Sequence, residues 1–367
     1  MSCVLFTEHL TQDGKKVVEI CLNSEKSLNA LTLEMIDLIQ PKLDAFKTDD
    51  SVVAILLDGA GSKAFCAGGD VVGLYKSMTG GADSNLPTEF FTREYQLDYT
   101  IHTYPKPIIC WGSGIVMGGG MGLMSGCSHR IVTETTMMAM PEVTIGLYPD
   151  VGGTWFLHRT PGRTGLFLGL TGSRMNAADA LFLGMADRFI KTDQRDALVA
   201  QLKSATWQGN LNAIVSEILR DLEDDAWELR QSIESPVRNN FDLIQDITDC
   251  DTVEEIIETL LDVETDDKWI ERAQKAISHG SPLAVHMIYQ QLKNTKHMSL
   301  KEVFIAELAL SVQCCNHREF PEGVRALLVD KDGKPDWTFK SINDVDPAFL
   351  AELFESPWET SPLASMY

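Results

Sequence analysis

Nowhere does the chain run to eighteen consecutive apolar residues, so it offers no helix able to span a bilayer. Basic side chains are scarce: 31 Lys and Arg stand against 53 Asp and Glu, a formal charge of −22. A field of that sign repels phosphate backbones and anionic lipid, which argues against nucleic acid or a membrane as partner. It still permits a phosphate-bearing small ligand held by a few local lysines and main-chain amides. The eight cysteines include no C-x-x-C pair, and most sit in apolar company such as Phe65-Cys66-Ala67. They read as reduced, buried small hydrophobes. The first residues show neither a basic region followed by an apolar block nor an arginine-rich presequence. The expected location is the cytoplasm.

Several catalytic signatures are missing as well. Gly112, Gly114 and Gly118 leave too wide a gap for G-x-G-x-x-G, and no G-x-x-x-x-G-K-[ST] occurs. There is no H-E-x-x-H, and His102, His129 and His158 lack metal-ligand spacing, so no metal is expected. Ser113 lies in Gly112-Ser113-Gly114 rather than in G-x-S-x-G. Cys314-Cys315 falls on a predicted helix, where core packing is the simpler role.

What is present is an alternation of elements. Residues 17–22 and 51–57 read as strands, the second apolar on both faces, with helical spacing over 31–46 between them. A strand at 107–111, a small-residue helix over 118–124, short strands at 130–133 and 137–139 and a helix at 176–183 continue the pattern. An α/β core is expected over 1–200 and a mainly helical region over 201–367. Residues 221–267 hold seventeen Asp or Glu against Arg230 and Arg238, with apolar residues at helical intervals. Helical patterns also cover 268–278, 283–293 and 299–316. Residues 77–88 read as a mobile surface loop.

Three glycine-bearing elements stand out. Lys63–Asp70 follows a buried strand, and Asp70 can cap the helix after it. As an isolated feature this is as easily an ordinary loop as a site. In Trp111–Gly122, free amides at a helix start suit developing negative charge, though close helix packing explains the glycines equally well. In A-M-P-E-V-T-I-G-L-Y-P-D-V-G-G (139–153), Glu142 and Asp150 are lone acids in apolar surroundings. Asp150 can be a helix cap; Glu142 has the setting of a carboxylate that acts on a substrate.

In this order the three elements resemble the crotonase superfamily, with Asn29-Ala30-Leu31 matching its early N-A-L. Phe90–Tyr95, Ala139–Glu142, Ile145–Gly153, Ser281-Pro282, Glu322–Ala326 and Leu328–Asp332 resemble the 3-hydroxyisobutyryl-coenzyme A hydrolase family within it. The resemblance implies a crotonase-like β-β-α spiral core with an extended mainly helical C-terminal region. It implies hydrolysis of an acyl-CoA thioester in valine breakdown, with CoA entering as part of the substrate and no separate cofactor. The amides of Gly69 and Gly119 would form the oxyanion hole. Glu142 would be the principal catalytic acid, and Glu94 and Asp150 would line the acyl pocket. Lys26 and Lys63, with Lys293, Lys296 and Lys301, are candidate contacts for the CoA phosphates. Enoyl-CoA hydratases carry a second glutamate three residues after the oxyanion glycine, where this chain has Gly122. Other readings are a broader β-hydroxyacyl-CoA hydrolase that takes 3-hydroxypropionyl-CoA, an enoyl-CoA hydratase or isomerase, and a non-catalytic acyl-CoA-binding module. A homo-oligomer is compatible with the family.

Overall fold

The computed structural model describes residues 2–80 and 85–366. Among the described residues ten strands run in chain order: β1 (Val4–Leu10), β2 (Lys16–Leu22), β3 (Val52–Gly59), β4 (Ala64–Cys66), β5 (Ile108–Gly112), β6 (Ile115–Met117), β7 (His129–Val132), β8 (Met137–Ala139), β9 (Met175–Asn176) and β10 (Arg188–Phe189). One sheet has the order β1-β2-β3-β5-β7-β10 and the other β4-β6-β8-β9. β1 pairs antiparallel with β2, while β2, β3, β5, β7 and β10 are mutually parallel. The central position of β3 follows from its composition: Val52–Leu57 are all buried, so both of its faces need cover.

Two consecutive strands followed by a helix or helical turn recur three times. β3 and β4 precede the helix Val71–Met78, β5 and β6 precede Gly119–Ser125, and β7 and β8 precede the 3-10 turn Glu142–Ile145. This is the β-β-α core of a crotonase fold, followed by a mainly helical C-terminal region. The helix at 31–46 is found as Leu33–Thr48, with the Thr32 hydroxyl accepting from the Met35 amide. The small-residue helix and the helices at 268–278, 283–293 and 299–316 also form.

Two compact units emerge, each assembled from three stretches of chain. The first comprises 1–69, 97–138 and 175–238, and the second 70–96, 139–174 and 239–367. The division expected near residue 200 falls inside the helix Arg195–Ser204 of the first unit. That helix and Leu211–Asp224 pack Leu198, Leu202, Leu219 and Leu222 against Val17, Ala54, Leu56, Ile109 and Ile131. Acidic faces and apolar stripes thus coexist on one helix, as their spacing requires.

Two details differ from the sequence reading. β1 lies upstream of the first expected strand; as an edge strand it leaves Leu5 and Leu10 exposed. The expected loop at 77–88 includes 81–84, which lie outside the described residues. Its last part is helical, because Leu86–His102 starts with Pro87 in its first turn, where a missing N–H costs nothing. All eight cysteines are free thiols. No helix among the described residues is long and apolar enough to cross a membrane.

Candidate active site

In the first unit, β4 and β6 pair in parallel, Ala64 with Ile115 and Cys66 with Val116. Their outgoing loops carry the two candidate amides. Asn29, fully buried, fixes one loop: its side-chain amide donates to the carbonyls of Ala60 and Ala64, both at 2.9 Å. Two residues on, the Leu31 amide donates to the Gly68 carbonyl at 2.8 Å, and Leu31 forms a parallel bridge with Gly69. Such a bridge uses the carbonyl before and the amide after its central residue, so the Gly69 N–H takes no part in it. Asn29-Ala30-Leu31 is therefore the clamp that orients the 66–69 turn.

The Gly119 amide opens the helix Gly119–Ser125, where the first N–H groups have no acceptor within the helix. Gly118 before it has φ +47, outside the comfortable range of residues with a side chain. A Cβ on Gly120 would lie 2.2 Å from the Cys66 carbonyl oxygen. The two glycine turns are thus brought together backbone to backbone. Asp70 caps the helix Val71–Met78 by accepting from the Gly73 amide at 3.0 Å, as expected. Asp70 and that helix belong to the second unit, whereas Lys26 and Lys63 lie in the first, with exposed side chains.

The second unit gathers the carboxylates. Glu142 is buried at the start of its 3-10 turn, and its Oε2 has no hydrogen-bond partner. Burial, and then the charge of Asp150, hold its carboxyl well above the usual range. Burial and the same aspartate do likewise for Glu94, buried on the helix Leu86–His102. Asp150 is pushed up to about 6 by burial, against the pull of the Tyr95 hydroxyl, which donates to its Oδ2 at 2.6 Å. The three acids therefore form one electrostatic cluster. Among the described residues, no group of three or more His, Cys, Asp or Glu is arranged to hold a metal ion.

The capping alternative for Asp150 fails on geometry. The helix Gly153–Leu157 is capped from afar by Glu307, on the helix Leu300–Asn316. Its carboxylate accepts from the Gly152 amide at 2.7 Å, the Thr154 amide at 3.2 Å and the Thr154 hydroxyl at 2.6 Å. Burial still pushes this carboxyl up to about 8. Sequence reasoning missed Glu307, as well as Tyr95 and Ser311 as site residues; the only local signal was a glutamate inside an otherwise apolar helix face.

The C-terminal motifs build the shelf beneath Glu142. A Cβ on Gly323 would meet the Ile145 carbonyl oxygen at 2.3 Å, and one on Gly146, at φ +73, would meet the Glu319 carbonyl at 2.6 Å. The Ser281 amide donates to the Val143 carbonyl at 3.1 Å and its hydroxyl to Glu319 at 2.5 Å, while Pro282 starts the next helix. Arg325 is held between Glu322, Asp330 and Asp332 at 2.8, 2.7 and 2.8 Å. Gly323, Glu319 and Ser281 thus back the turn that carries Glu142. Lys293 and Lys296 are exposed beside a cavity of about 310 Å³, and Lys301 is half-buried.

The chain matches the family described as enoyl-CoA hydratase/isomerase over residues 17–354. It is 36% identical to the mitochondrial 3-hydroxyisobutyryl-CoA hydrolase of Danio rerio over 97% of this chain and 91% of that protein. It is 37% identical to the corresponding Xenopus laevis protein over 92% of this chain and 86% of that one. A crystal structure of an enoyl-CoA hydratase from Rhodobacter sphaeroides superposes with a TM-score of 0.83 at 32% identity, covering 97% of this chain and 98% of that chain. The zebrafish and frog relatives are mitochondrial by name, as are those of chicken, mouse and human, which overturns the cytoplasmic expectation. That expectation rested on reduced cysteines and on missing targeting features, and a mitochondrial protein is compatible with the first. With matching motifs, fold and relatives along almost its whole length, the chain belongs to the enoyl-CoA hydratase/isomerase family of the crotonase superfamily.

Proposed function

We propose that the protein hydrolyses the thioester of 3-hydroxyisobutyryl-CoA, releasing 3-hydroxyisobutyrate and free CoA in valine breakdown. The observation that carries this reading is the setting of Glu142. It is a buried carboxylate with one oxygen unpartnered, and it follows the second strand of the third β-β-α cycle as Gly69 and Gly119 follow those of the first and second. A thioester carbonyl gains negative charge on attack, and fixed amides stabilise that charge more than the ground state. Gly69 and Gly119 take this role. A desolvated carboxylate is a strong base and nucleophile once ionised, which suits Glu142 to attack the carbonyl carbon. The C–S bond then breaks, CoA leaves as thiolate and takes up a proton, and water cleaves the acyl–Glu142 anhydride to regenerate the carboxylate. Activation of water by Glu142 as general base gives the same products in one stage.

Asp150 and Glu94 receive the β-hydroxyl of the acyl group. A buried hydroxyl needs a partner, and a site built around that partner rejects acyl groups lacking it. Lys26 and Lys63 are the proposed contacts for the CoA phosphates; in a protein of charge −22 such local cations matter more than the mean field.

Hydration of an enoyl-CoA is the second reading, favoured by the name of the structural relative. Gly122, buried in its helix, argues against it, because a second water-handling carboxylate is absent at that position. Thiol release from 3-hydroxyisobutyryl, 3-hydroxypropionyl, isobutyryl and methacrylyl thioesters separates the two. Preference for the first is expected; hydration of the methacrylyl substrate without thiol release overturns the assignment.

Gly120→Ala tests the oxyanion turn. Its new methyl must displace the Cys66 carbonyl, which β4 holds in place, so the Gly119 amide shifts. Thiol release is expected to fall by about 100-fold, the usual loss for a missing oxyanion donor. An unchanged rate in a folded variant removes Gly119 from the mechanism.

A further inference from the structure

Behind Asp150 lies a file of buried hydroxyls that the hydrolytic scheme does not use. Asp150 Oδ2 meets the Tyr95 hydroxyl at 2.6 Å, Tyr95 meets Ser311 at 2.7 Å, Ser311 meets Tyr148 at 2.8 Å, and Tyr148 meets the Glu307 main-chain carbonyl at 2.7 Å. All of these residues are buried. The file has four contacts, and three hydroxyls supply three protons.

The missing proton fixes the logic. With Asp150 ionised, the hydroxyls point toward it: Tyr148 donates to Ser311, Ser311 to Tyr95 and Tyr95 to the carboxylate. Three contacts are then filled, and the Glu307 carbonyl loses its donor. With a proton on Asp150 Oδ2, every hydroxyl turns the other way and all four contacts are filled, ending on that carbonyl. Each hydroxyl keeps its own proton; the only bond made or broken is O–H at Asp150.

We propose that Tyr95, Ser311 and Tyr148 are positioning residues that act as a reversible hydrogen-bond relay, storing a proton on the Oδ2 side of Asp150. In both states the other oxygen, Oδ1, is left as an acceptor, so the aspartate can receive a substrate hydroxyl whether or not it carries a proton. The inference rests on the reading of Asp150 as a substrate-facing group. The charged and titratable groups around it are Glu94 from Leu86–His102, Glu142 from its turn, and Glu307, Cys314 and Cys315 from Leu300–Asn316, besides the two tyrosines. Burial, with no cation among these neighbours, favours the protonated state, in keeping with the upward shift of Asp150.

The relay makes a prediction of sign. Tyr95→Phe costs the ionised state its one charge-assisted bond and the protonated state two neutral ones; a charge-assisted bond is roughly twice as strong, so the losses offset and the pKa of Asp150 moves little. Tyr148→Phe and Ser311→Ala each cost the protonated state two contacts and the ionised state one, so the pKa falls by roughly half a unit. The infrared band of the protonated carboxyl, assigned through its loss in Asp150→Asn, reads this titration in the full-length protein without substrate. A fall for either distal variant that exceeds any shift in Tyr95→Phe supports the relay; no fall in the distal variants, or a larger fall in Tyr95→Phe, overturns it. The pH profile of thiol release separates the two claims. If the infrared values move as stated while the kinetic limbs stay put, the relay stands and the assignment of Asp150 to hydrolysis falls.

Discussion

Glu142→Gln is expected to reduce thiol release by at least about a thousandfold, while the folded protein still binds CoA. The amide keeps the size and shape of the carboxyl, so the shelf formed by Gly323, Gly146 and Ser281 is undisturbed. It cannot form an anhydride and is too weak a base to activate water. The variant also separates function from stability. Burial holds the Glu142 carboxyl well above its usual range, so the folded state binds that proton more tightly than the unfolded chain does. The stability linked to that proton is fully present below the unfolded pKa and is lost as pH rises through the folded one. The Gln variant has no such loss, and its melting temperature should exceed that of the parent on the alkaline side. Turnover in labelled water tests the covalent route in the parent: solvent oxygen enters Glu142 when an anhydride forms and water opens it at the glutamyl carbon, and general-base activation of water never labels Glu142. Retention of full activity in the Gln variant would remove the carboxylate from the reaction altogether.

Glu307→Ala is expected to destabilise the fold by about 3 kcal/mol, seen as a lowered denaturant midpoint. Its carboxylate is fully buried and accepts from three donors, the amides of Gly152 and Thr154 and the Thr154 hydroxyl. Truncation leaves all three without an acceptor in a place water does not reach, and each orphan costs about 1–3 kcal/mol, less when they relax together. A charge effect can be separated by pH. Burial lifts this carboxyl from 4.5 to about 8, so its protonation adds stability below the lower value that is lost as pH climbs to the upper one. Glu307→Gln removes that one proton from the balance, and the fall in stability between pH 5 and 8 should be shallower by up to about 1.4 kcal/mol per unit. Equal slopes for parent and variant would show that Glu307 is ionised throughout.

The legible parts of the site are those whose chemistry is local. Glu142 stands out because Met140, Pro141, Val143 and Ile145 give it no surface to face, and the glycine turns stand out because few residues other than glycine permit those backbone angles. β3 is readable from six apolar residues in a row, and Leu33–Thr48 from its spacing. The illegible parts depend on residues far away in sequence. The local pattern Pro149-Asp150-Val151-Gly152-Gly153 looks like a cap, yet the cap is Glu307, because the Asp150 carboxylate is already engaged by Tyr95. The strands β4, β6, β9 and β10 have two or three residues each and carry no measurable period. Glu322–Ala326 and Ser281-Pro282 could be matched to a family from sequence, but their physical task, a close backbone approach to the 142–146 turn, needed coordinates.

The long separation between Tyr95 and Ser311, 216 residues apart, bears on how the protein is made. A ribosome adding about 5–20 residues per second takes on the order of 10–40 seconds to cover that interval. From residue 150 onward, Tyr95, Tyr148 and Asp150 have been synthesised but lack the helix that orders them, and Gly323, which lets the Glu142 turn be backed, comes later still. The sites of catalysis are thus among the last features a nascent chain can complete, and polypeptides released early should be inert however much of their β-structure has formed.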